Sequence, residues 1–464
     1  MKFFDTFTRK KKILKPSGNE VKIYTCGPTV YDYAHIGNLR TYVVQDVIKR
    51  IIERKFKVKH VMNITDVGHL VSDSDTGEDK MELGAKREQK TAWEIAEYYT
   101  ERFLADMQKL KIEKPSVMCK ATDNIKEMIE LVATLEKKGY TYATEDGVYF
   151  NTSKFKDYGK LARLDKEGLK AGKRVEMGGK KNATDFALWK FSKEPRQMEW
   201  DSPWGKGFPG WHIECSAMAM KYLGETLDVH AGGIDHIPVH HTNEIAQSEA
   251  ATGKKFSKIW MHIAFILLEG KKISKSLGNY YTLSQLEEKG FSPAAFRYLC
   301  ASSHYRSDMN FTLDALRDAE NALRTINDFY RRMKEIKGGG AENGKISAYE
   351  KKFWSALEDD ANTPNALAAL FDMIRSANKS APSEKSGRII TGFLENADKI
   401  FCFLEGQGTI SEEEAYMIRE REIMRKAGNY KAADEIRKKL AELGVEIEDT
   451  PSGTRWVRRE KRQA

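Results

Sequence analysis

The 464-residue sequence contains no long apolar run. Its most hydrophobic stretch, near Ile263 to Leu268, falls far short of the ~18 residues a membrane span needs, so no bilayer-crossing helix is expected. Cysteine is scarce as well. Five cysteines, an odd number at wide and irregular intervals, argue against a disulfide framework and leave metal binding, chemistry or plain core packing as their uses. The opening residues, MKFFDTFTRKKK, are basic but lack the apolar core of ~7 to 15 residues that a secretory signal requires, which makes cytoplasmic residence the expectation. No internal repeat is evident.

What is present describes a soluble chain of several domains. Hydrophobic residues make up 41% and charged residues 31%, and the length exceeds what one ordinary core accommodates; usual domain sizes imply roughly three units. The formal net charge of +9 is modest, yet Arg455 to Arg462 holds five basic residues against one acid. Such an end is either simply solvated or drawn to phosphate, because cationic side chains release counterions from nucleic acid.

Periodicity places a strand at Val21 to Thr25, a helix at Arg40 to Lys55 with Val43, Val44, Val47, Ile48, Ile51 and Ile52 on one stripe, and a strand at Val58 to Ile64. This is a βαβ unit. The residues CGPTVYDYAHIGN lie between its first strand and its helix, so His35 falls at a helix N-terminus, where free N–H groups and the dipole favour anions. A short strand is predicted at Gly147 to Phe150 and another at Leu227 to His230, and the apolar pattern resumes through Trp211 to Gly233 and Ile259 to Leu268. Loop-like pieces at Lys337 to Gly340, Ser380 to Gly387 and Glu405 to Thr409 punctuate a charged helical region. The last segment predicts an amphipathic helical pair over Glu412 to Lys439, followed by strands at Val445 to Ile447 and Thr454 to Trp456.

Two short motifs carry chemistry: His35-Ile36-Gly37-Asn38 and, more than two hundred residues later, Lys271 to Asn279, KKISKSLGN. His35, Asn38, Lys272 and Lys275 are suitable donors to a phosphate whose negative charge grows during substitution. Gly37 leaves room for a ring against the backbone. Gly232-Gly233-Ile234-Asp235 follows the strand at Leu227 and reads either as an ordinary turn or as a tight loop whose Asp235 carboxylate accepts from a ribose. His240 and Glu244, four apart, share one face of a helix. With Cys26 and Cys215 they form a set of proper zinc ligands, but they come from three separate places, and His212, His230, His236 and His241 are equally available; spacing alone leaves the choice open.

Together and in this order, HIGN and KISKS resemble the two signatures, HIGH and KMSKS, with which class I aminoacyl-tRNA synthetases hold ATP. Tyr24 to Asp32, Asn63 to Asp66, Pro209 to Met218, His240 to Gln247 and KKISKSLGN resemble the cysteinyl-tRNA synthetases among them. That resemblance extends through Glu358 to Leu367 (EDDANTPNAL), Tyr430 to Asp434 and Gly453 to Trp456, essentially the whole chain. It implies an α/β fold: a class I nucleotide-binding domain with a parallel sheet, then a helical domain and a small C-terminal α/β module. The divisions it implies are residues 1–120 for the first half of the catalytic domain, 121–195 for a connective insertion and 196–255 for the second half. Residues 256–321 would form a stem-contact region with the KISKS loop, 322–407 a helical DALR-type domain and 408–464 an anticodon-binding module.

The resemblance further implies one zinc ion per chain at Cys26, Cys215, His240 and Glu244, an amino-acid pocket lined by Thr65 and Trp211, and an ATP site at His35, Gly37, Asn38, Gly232, Gly233, Asp235, Lys272 and Lys275, with Mg²⁺ accompanying ATP. The expected activity joins L-cysteine to ATP, giving cysteinyl adenylate, and passes the acyl group to the 3′-terminal adenosine of tRNA(Cys). Zinc answers the selectivity problem. Serine differs from cysteine by one atom, and a pocket that judges size gains only ~1 to 3 kcal/mol from so small a change, whereas a metal-bound thiolate differs in kind from an alcohol that stays protonated. No segment resembles a hydrolytic editing domain. Three positions depart from the family pattern: Asn38 stands for the second histidine of HIGH, Ile273 for methionine in the lysine loop, and Thr242 for a glutamate common in relatives. The rival expectations are a cysteine ligase acting on an amino sugar, of the mycothiol-pathway type, whose family lacks the C-terminal region, and a catalytically silent RNA-binding paralogue. Partners are expected to be tRNA(Cys), ATP and L-cysteine, with no membrane and a monomeric chain.

Overall fold

The computed structural model describes residues 1–68, 79–164, 179–192, 196–273, 280–340, 345–406, 410–450 and 453–458. Lys275 lies outside the described residues, as does most of Lys170 to Lys181, and Lys272 is described in its backbone only.

An N-terminal hairpin, β1 (Lys2–Asp5) and β2 (Lys10–Ile13), leads into β3 (Glu20–Thr25), the middle strand of the central sheet. Helix α1 (Ile36–Glu53) and β4 (Lys57–Ile64) complete the expected βαβ unit. The helix begins one turn before Arg40, and Ile36 and Leu39 in that turn extend the buried stripe. His35 is its N-cap, accepting from the Asn38 backbone N–H, while the Asn38 side chain accepts from the His35 N–H. This reciprocal pair satisfies two otherwise orphaned donors at the helix start. Helices α2 (Lys80–Glu88) and α3 (Ala92–Lys109) and strand β5 (Val117–Lys120) follow.

Helix α4 (Ile125–Lys137) opens the excursion from the sheet. Strands β6 (Thr141–Thr144), β7 (Gly147–Phe150), β8 (Phe186–Phe191) and β9 (Gly207–Pro209) form an antiparallel four-stranded sheet in that order. Its last strand lies beyond residue 195, because Trp189 to Phe191 still needs a partner on its outer edge and finds it in Gly207 to Pro209. The apolar run from Trp211 to Gly233 divides into helix α5 (Trp211–Leu223) and strand β10 (Leu227–Gly233), parted by Gly224 at φ +86°. Helix α6 (His240–Thr252) and strand β11 (Ser257–Ile263) close the central sheet.

The central sheet has the order β11-β10-β3-β4-β5 with every neighbouring pair parallel. Its inner strands are buried along most of their length, β10 from Leu227 to Gly232, as a sheet covered on both faces requires. The run Ile259 to Leu268 does not make one strand: β12 (Ile266–Leu268) belongs to a small separate sheet, paired antiparallel with β13 (Lys271–Lys272) and parallel with β14 (Met309–Phe311).

Helices α7 (Leu283–Glu288) and α8 (Pro293–Ser302) lead to four longer helices, α9 (Leu313–Glu335), α10 (Ile346–Glu358), α11 (Thr363–Ser380) and α12 (Glu384–Phe401). Phe353, Phe393 and Phe401 meet edge to face in their core, with ring centroids 5.0 Å apart for the first pair. A distinct C-terminal module follows: α13 (Glu412–Lys426), α14 (Tyr430–Glu442) and the hairpin β15 (Val445–Thr450) and β16 (Gly453–Arg458), with its own core of Ile418, Leu440, Val445 and Ile447.

Candidate active site and metal centre

From β3 the chain moves outward through β4 to β5, and it later adds β10 and β11 on the other side of β3. The direction of winding therefore reverses between β3 and β10. In parallel sheets the crevice outside the carboxyl ends of the strands at such a reversal is where ligands bind. A cavity of about 430 Å³ lies there, and His35, Gly37, Asn38, Thr65, Trp211 and Asp235 are among its lining residues.

Cys26 directly follows β3, Cys215 sits one turn into α5, and His240 and Glu244 occupy the first turns of α6. Their ligand atoms all lie within 4.8 Å of one another, and all four side chains are buried. A second set, Cys26, His230, His241 and Glu244, meets the same criterion. The first set opens on the cavity through Cys26, Cys215 and His240. In the second, His230 Nε2 is 2.7 Å from Glu244 Oε2 and His241 Nε2 is 3.3 Å from Cys26 Sγ, but neither histidine lines the cavity, and His241 Nδ1 is held 2.7 Å from His262 Nε2, whose own Nδ1 is 2.8 Å from the Thr6 hydroxyl.

The electrostatics of the cluster suit a cation. Burial alone would raise the Glu244 carboxyl, but the charge and hydrogen bonds of His230 and His240 hold it well below the usual range. Burial also opposes charge on His240, yet Glu244, at 3.1 Å, and the Cys215 thiol push it up to about 10. A hydrogen bond from Cys26 draws the Cys215 thiol down against burial, while burial drives Cys26 well above its ordinary value. Burial lowers His236 to about 4 and takes His241 well below its ordinary value. Two thiols, an imidazole and a carboxylate form a zinc-type donor set, with sulfur favouring zinc over hard cations such as magnesium.

At the other wall, His35 accepts at Nδ1 from the Asn38 N–H at 3.2 Å, which puts the proton of a neutral ring on Nε2. The Asn38 amide oxygen is occupied by the His35 N–H at 3.2 Å, leaving its NH₂ group as the donor. Gly37 has a reason that the motif alone conceals: a Cβ there would stand 2.9 Å from two atoms of the His35 ring. At Gly232 a Cβ would come within 2.7 Å of His236 Nδ1 and 2.8 Å of His241 Cε1. Gly233 and Asp235 line the cavity and Gly232 does not. The Thr65 hydroxyl donates to Glu214 at 2.9 Å and accepts from Asn63 at 3.0 Å, so it is held in one orientation; the Trp211 ring lies 5.3 Å from that of His240.

Several participants escape a reading of motifs. Glu214 and Asn63 orient Thr65, and Tyr31, Tyr99 and Phe103 furnish aromatic wall. Tyr31, Asn63 and Glu214 lie within the stretches that carry the family resemblance, and Glu214 also stands three residues after Trp211 on the same helix, whereas Tyr99 and Phe103 carried no signal. Ile273 lines the cavity, which places the described start of the lysine segment at the site.

Comparison with known proteins agrees with this architecture. Residues 13–321 match the catalytic domain family of class I (C) tRNA synthetases, 352–402 the DALR domain, and 408–456 the cysteinyl-tRNA ligase anticodon binding domain. The chain is 46% identical over 462 residues to cysteine--tRNA ligase 1 of Burkholderia lata, covering 97% of this chain and 96% of that protein. It is 42% identical over 490 residues to the cysteine--tRNA ligase of Treponema denticola, covering 98% and 99%. Among solved structures, methionyl-tRNA synthetase of Mycobacterium tuberculosis in complex with methionyl-adenylate superposes with a TM-score of 0.59 at 15% identity, over 82% of this chain and 89% of that one, a likeness of fold. The chain belongs to the cysteine--tRNA ligase family of class I aminoacyl-tRNA synthetases.

Proposed function

We propose that the protein activates L-cysteine with ATP and transfers it to the 3′-terminal adenosine of tRNA(Cys), acting as a cytoplasmic monomer. One observation carries this reading: a buried donor set of two thiols, an imidazole and a carboxylate opens on the same cavity as His35 and Asp235. Donors suited to a metal share one cavity with a helix end suited to an anion, which supports recognition of a substrate thiol beside a triphosphate.

The reaction is an in-line attack of the cysteine carboxylate on the α-phosphate, so the chain's work is positioning and charge stabilisation. His35, the Asn38 amide, Lys272 and Lys275 donate to phosphate oxygens, the N-terminus of α1 adds its N–H groups, and Asp235 accepts from the ribose beside Gly232 and Gly233. Thr65, locked by Glu214 and Asn63, and Trp211 orient the amino acid. Mg²⁺ would accompany ATP as a largely substrate-bound ion and would offset phosphate charge. Cys26, Cys215, His240 and Glu244 would hold one zinc ion, which would supply a soft Lewis acid that prefers a thiolate to the protonated hydroxyl of serine. The presence of a C-terminal module matching the cysteinyl anticodon binding family disfavours the amino-sugar ligase, whose family lacks that region.

The test is exchange of labelled pyrophosphate into ATP, with cysteine or serine and without tRNA, followed by charging of tRNA(Cys). Cysteine-dependent exchange without tRNA, negligible exchange with serine, and subsequent charging are expected; exchange that ignores the amino acid, or none at all, would refute the reading.

A further inference from the structure

Arg40 lies in α1, four residues after Ile36, and its side chain is fully buried. Among the described residues no carboxylate pairs with it. Its fork instead donates to four main-chain carbonyls: Nη1 to Ala264 at 2.8 Å and Phe265 at 2.5 Å, Nη2 to Ser307 at 2.7 Å and His304 at 3.3 Å. Ala264 and Phe265 immediately precede β12, while His304 and Ser307 shortly precede β14, the strand parallel to it. The guanidinium therefore spans the starting ends of two paired strands.

Those strands do not need Arg40 to stay together. Ala264 N–H donates to Tyr305 O at 2.8 Å, Met309 N–H to Phe265 O at 3.0 Å, and Phe265 N–H to Asp308 at 3.1 Å. What Arg40 adds is the attachment of this sheet to α1. A buried cation is a costly filler where a leucine would pack, and it is held here by carbonyls rather than an opposite charge. The rigid, planar arrangement of its donors provides something packing does not, a defined register between a helix and two strands.

That register matters because Ala264, Phe265, Ile266 and Ile273 line the same cavity as His35 and Asn38. Further along the chain Ile36 N–H donates to Tyr281 O at 2.9 Å, and His35 forms a bridge with Thr282. The chain is thus tied to α1 before β12 and again at Tyr281, by groups one helical turn apart on α1.

We propose that Arg40 is a positioning residue for the activation step, setting the wall formed by Ala264 to Ile266 against the helix end that presents His35. This rests on the ATP-dependent activation proposed above. Arg40 touches no reacting atom and acts through the groups it places.

The test compares Arg40→Gln and Arg40→Lys with the unmodified full-length protein in cysteine-dependent pyrophosphate exchange, with active sites titrated and metal content measured. For Arg40→Gln the rate per titrated site should fall at least tenfold while metal per chain and the KM for cysteine stay unchanged. Arg40→Lys, which keeps the charge but not the fork, should fall in between. Fewer active sites at an unchanged rate per site would show a role in folding alone and overturn the proposal, as would a loss of metal or of cysteine binding equal to the loss of rate. If Arg40→Gln does not fold, Arg40→Lys decides by the same per-site reading. Absence of exchange in the unmodified protein would overturn the functional reading itself, an outcome separate from any effect of Arg40.

Discussion

His240 and His241 are adjacent in sequence, and each belongs to one of the two donor sets that share Cys26 and Glu244. His240→Ala should abolish stoichiometric zinc, whereas His241→Ala, which removes a side chain engaged with His262, should weaken the metal by roughly tenfold to a hundredfold without eliminating it. Elemental analysis and a chelator competition distinguish them, and the reverse pattern would assign the ion to the second set. Asn38 invites a different substitution. Asn38→Asp keeps an oxygen for the His35 N–H, so the helix start should hold, but it replaces the NH₂ donor with negative charge at the proposed phosphate site. Loss of one such donor costs roughly a hundredfold or more in turnover, so exchange should drop by at least that much with an unchanged melting temperature. At this scale the motif disclosed which residue types stand at the cavity, while the reason for Gly37, a ring packed 2.9 Å from where a Cβ would be, required coordinates.

Helix α3 contains a testable weakness. Burial pushes the Asp106 carboxyl up to about 6 from an ordinary 3.8, with Glu287 adding to it and Lys109 and Arg102 opposing. Between these two values the folded chain retains a proton that the unfolded chain has released, so stability falls as pH rises through that window and stays lower above it. Asp106→Asn removes the penalty: after discounting for partial solvent access, the gain should be on the order of 1–2 kcal/mol near pH 7 and should vanish below the unfolded value. Urea midpoints at the two pH values check it, and an equal gain at both would mean that ionisation is not the cause. Local elements were largely legible because their signals are local. The strand at Gly147 to Phe150 and the C-terminal helical pair occur where periodicity puts them. Helix α1 starts one turn before Arg40, with His35 at its N-terminus as the motif's position implies, and the apolar character of Ile259 to Leu268 does not reveal that the chain there leaves one sheet for another.

Across the whole molecule, the C-terminal module has a core separate from the two larger ones, whereas the preceding helices are tied into the catalytic region. Arg297, buried in α8, binds Asp46 of α1 at 2.6 Å, the Leu110 carbonyl after α3 at 2.9 Å, and the carbonyls of Ile400 and Phe401 at the end of α12. A chain ending at Gly406 keeps every one of these contacts and should perform pyrophosphate exchange within about twofold of the full protein. Its charging of tRNA(Cys) should lose at least tenfold in kcat/KM, since the module would no longer supply phosphate and base contacts; unchanged charging would remove residues 408–464 from RNA recognition. The sequence by itself determined the chemistry on offer, thiols, imidazoles and carboxylates near two phosphate-binding motifs, and most helices and strands, because period, capping and turn residues act within a few positions. Only the tertiary structure decided which of them meet. Cys26, Cys215, His240 and Glu244 belong to segments separated by up to about two hundred residues, and their approach to within 4.8 Å depends on β3 and β10 becoming parallel neighbours, a hydrogen-bonded pairing that no local pattern encodes.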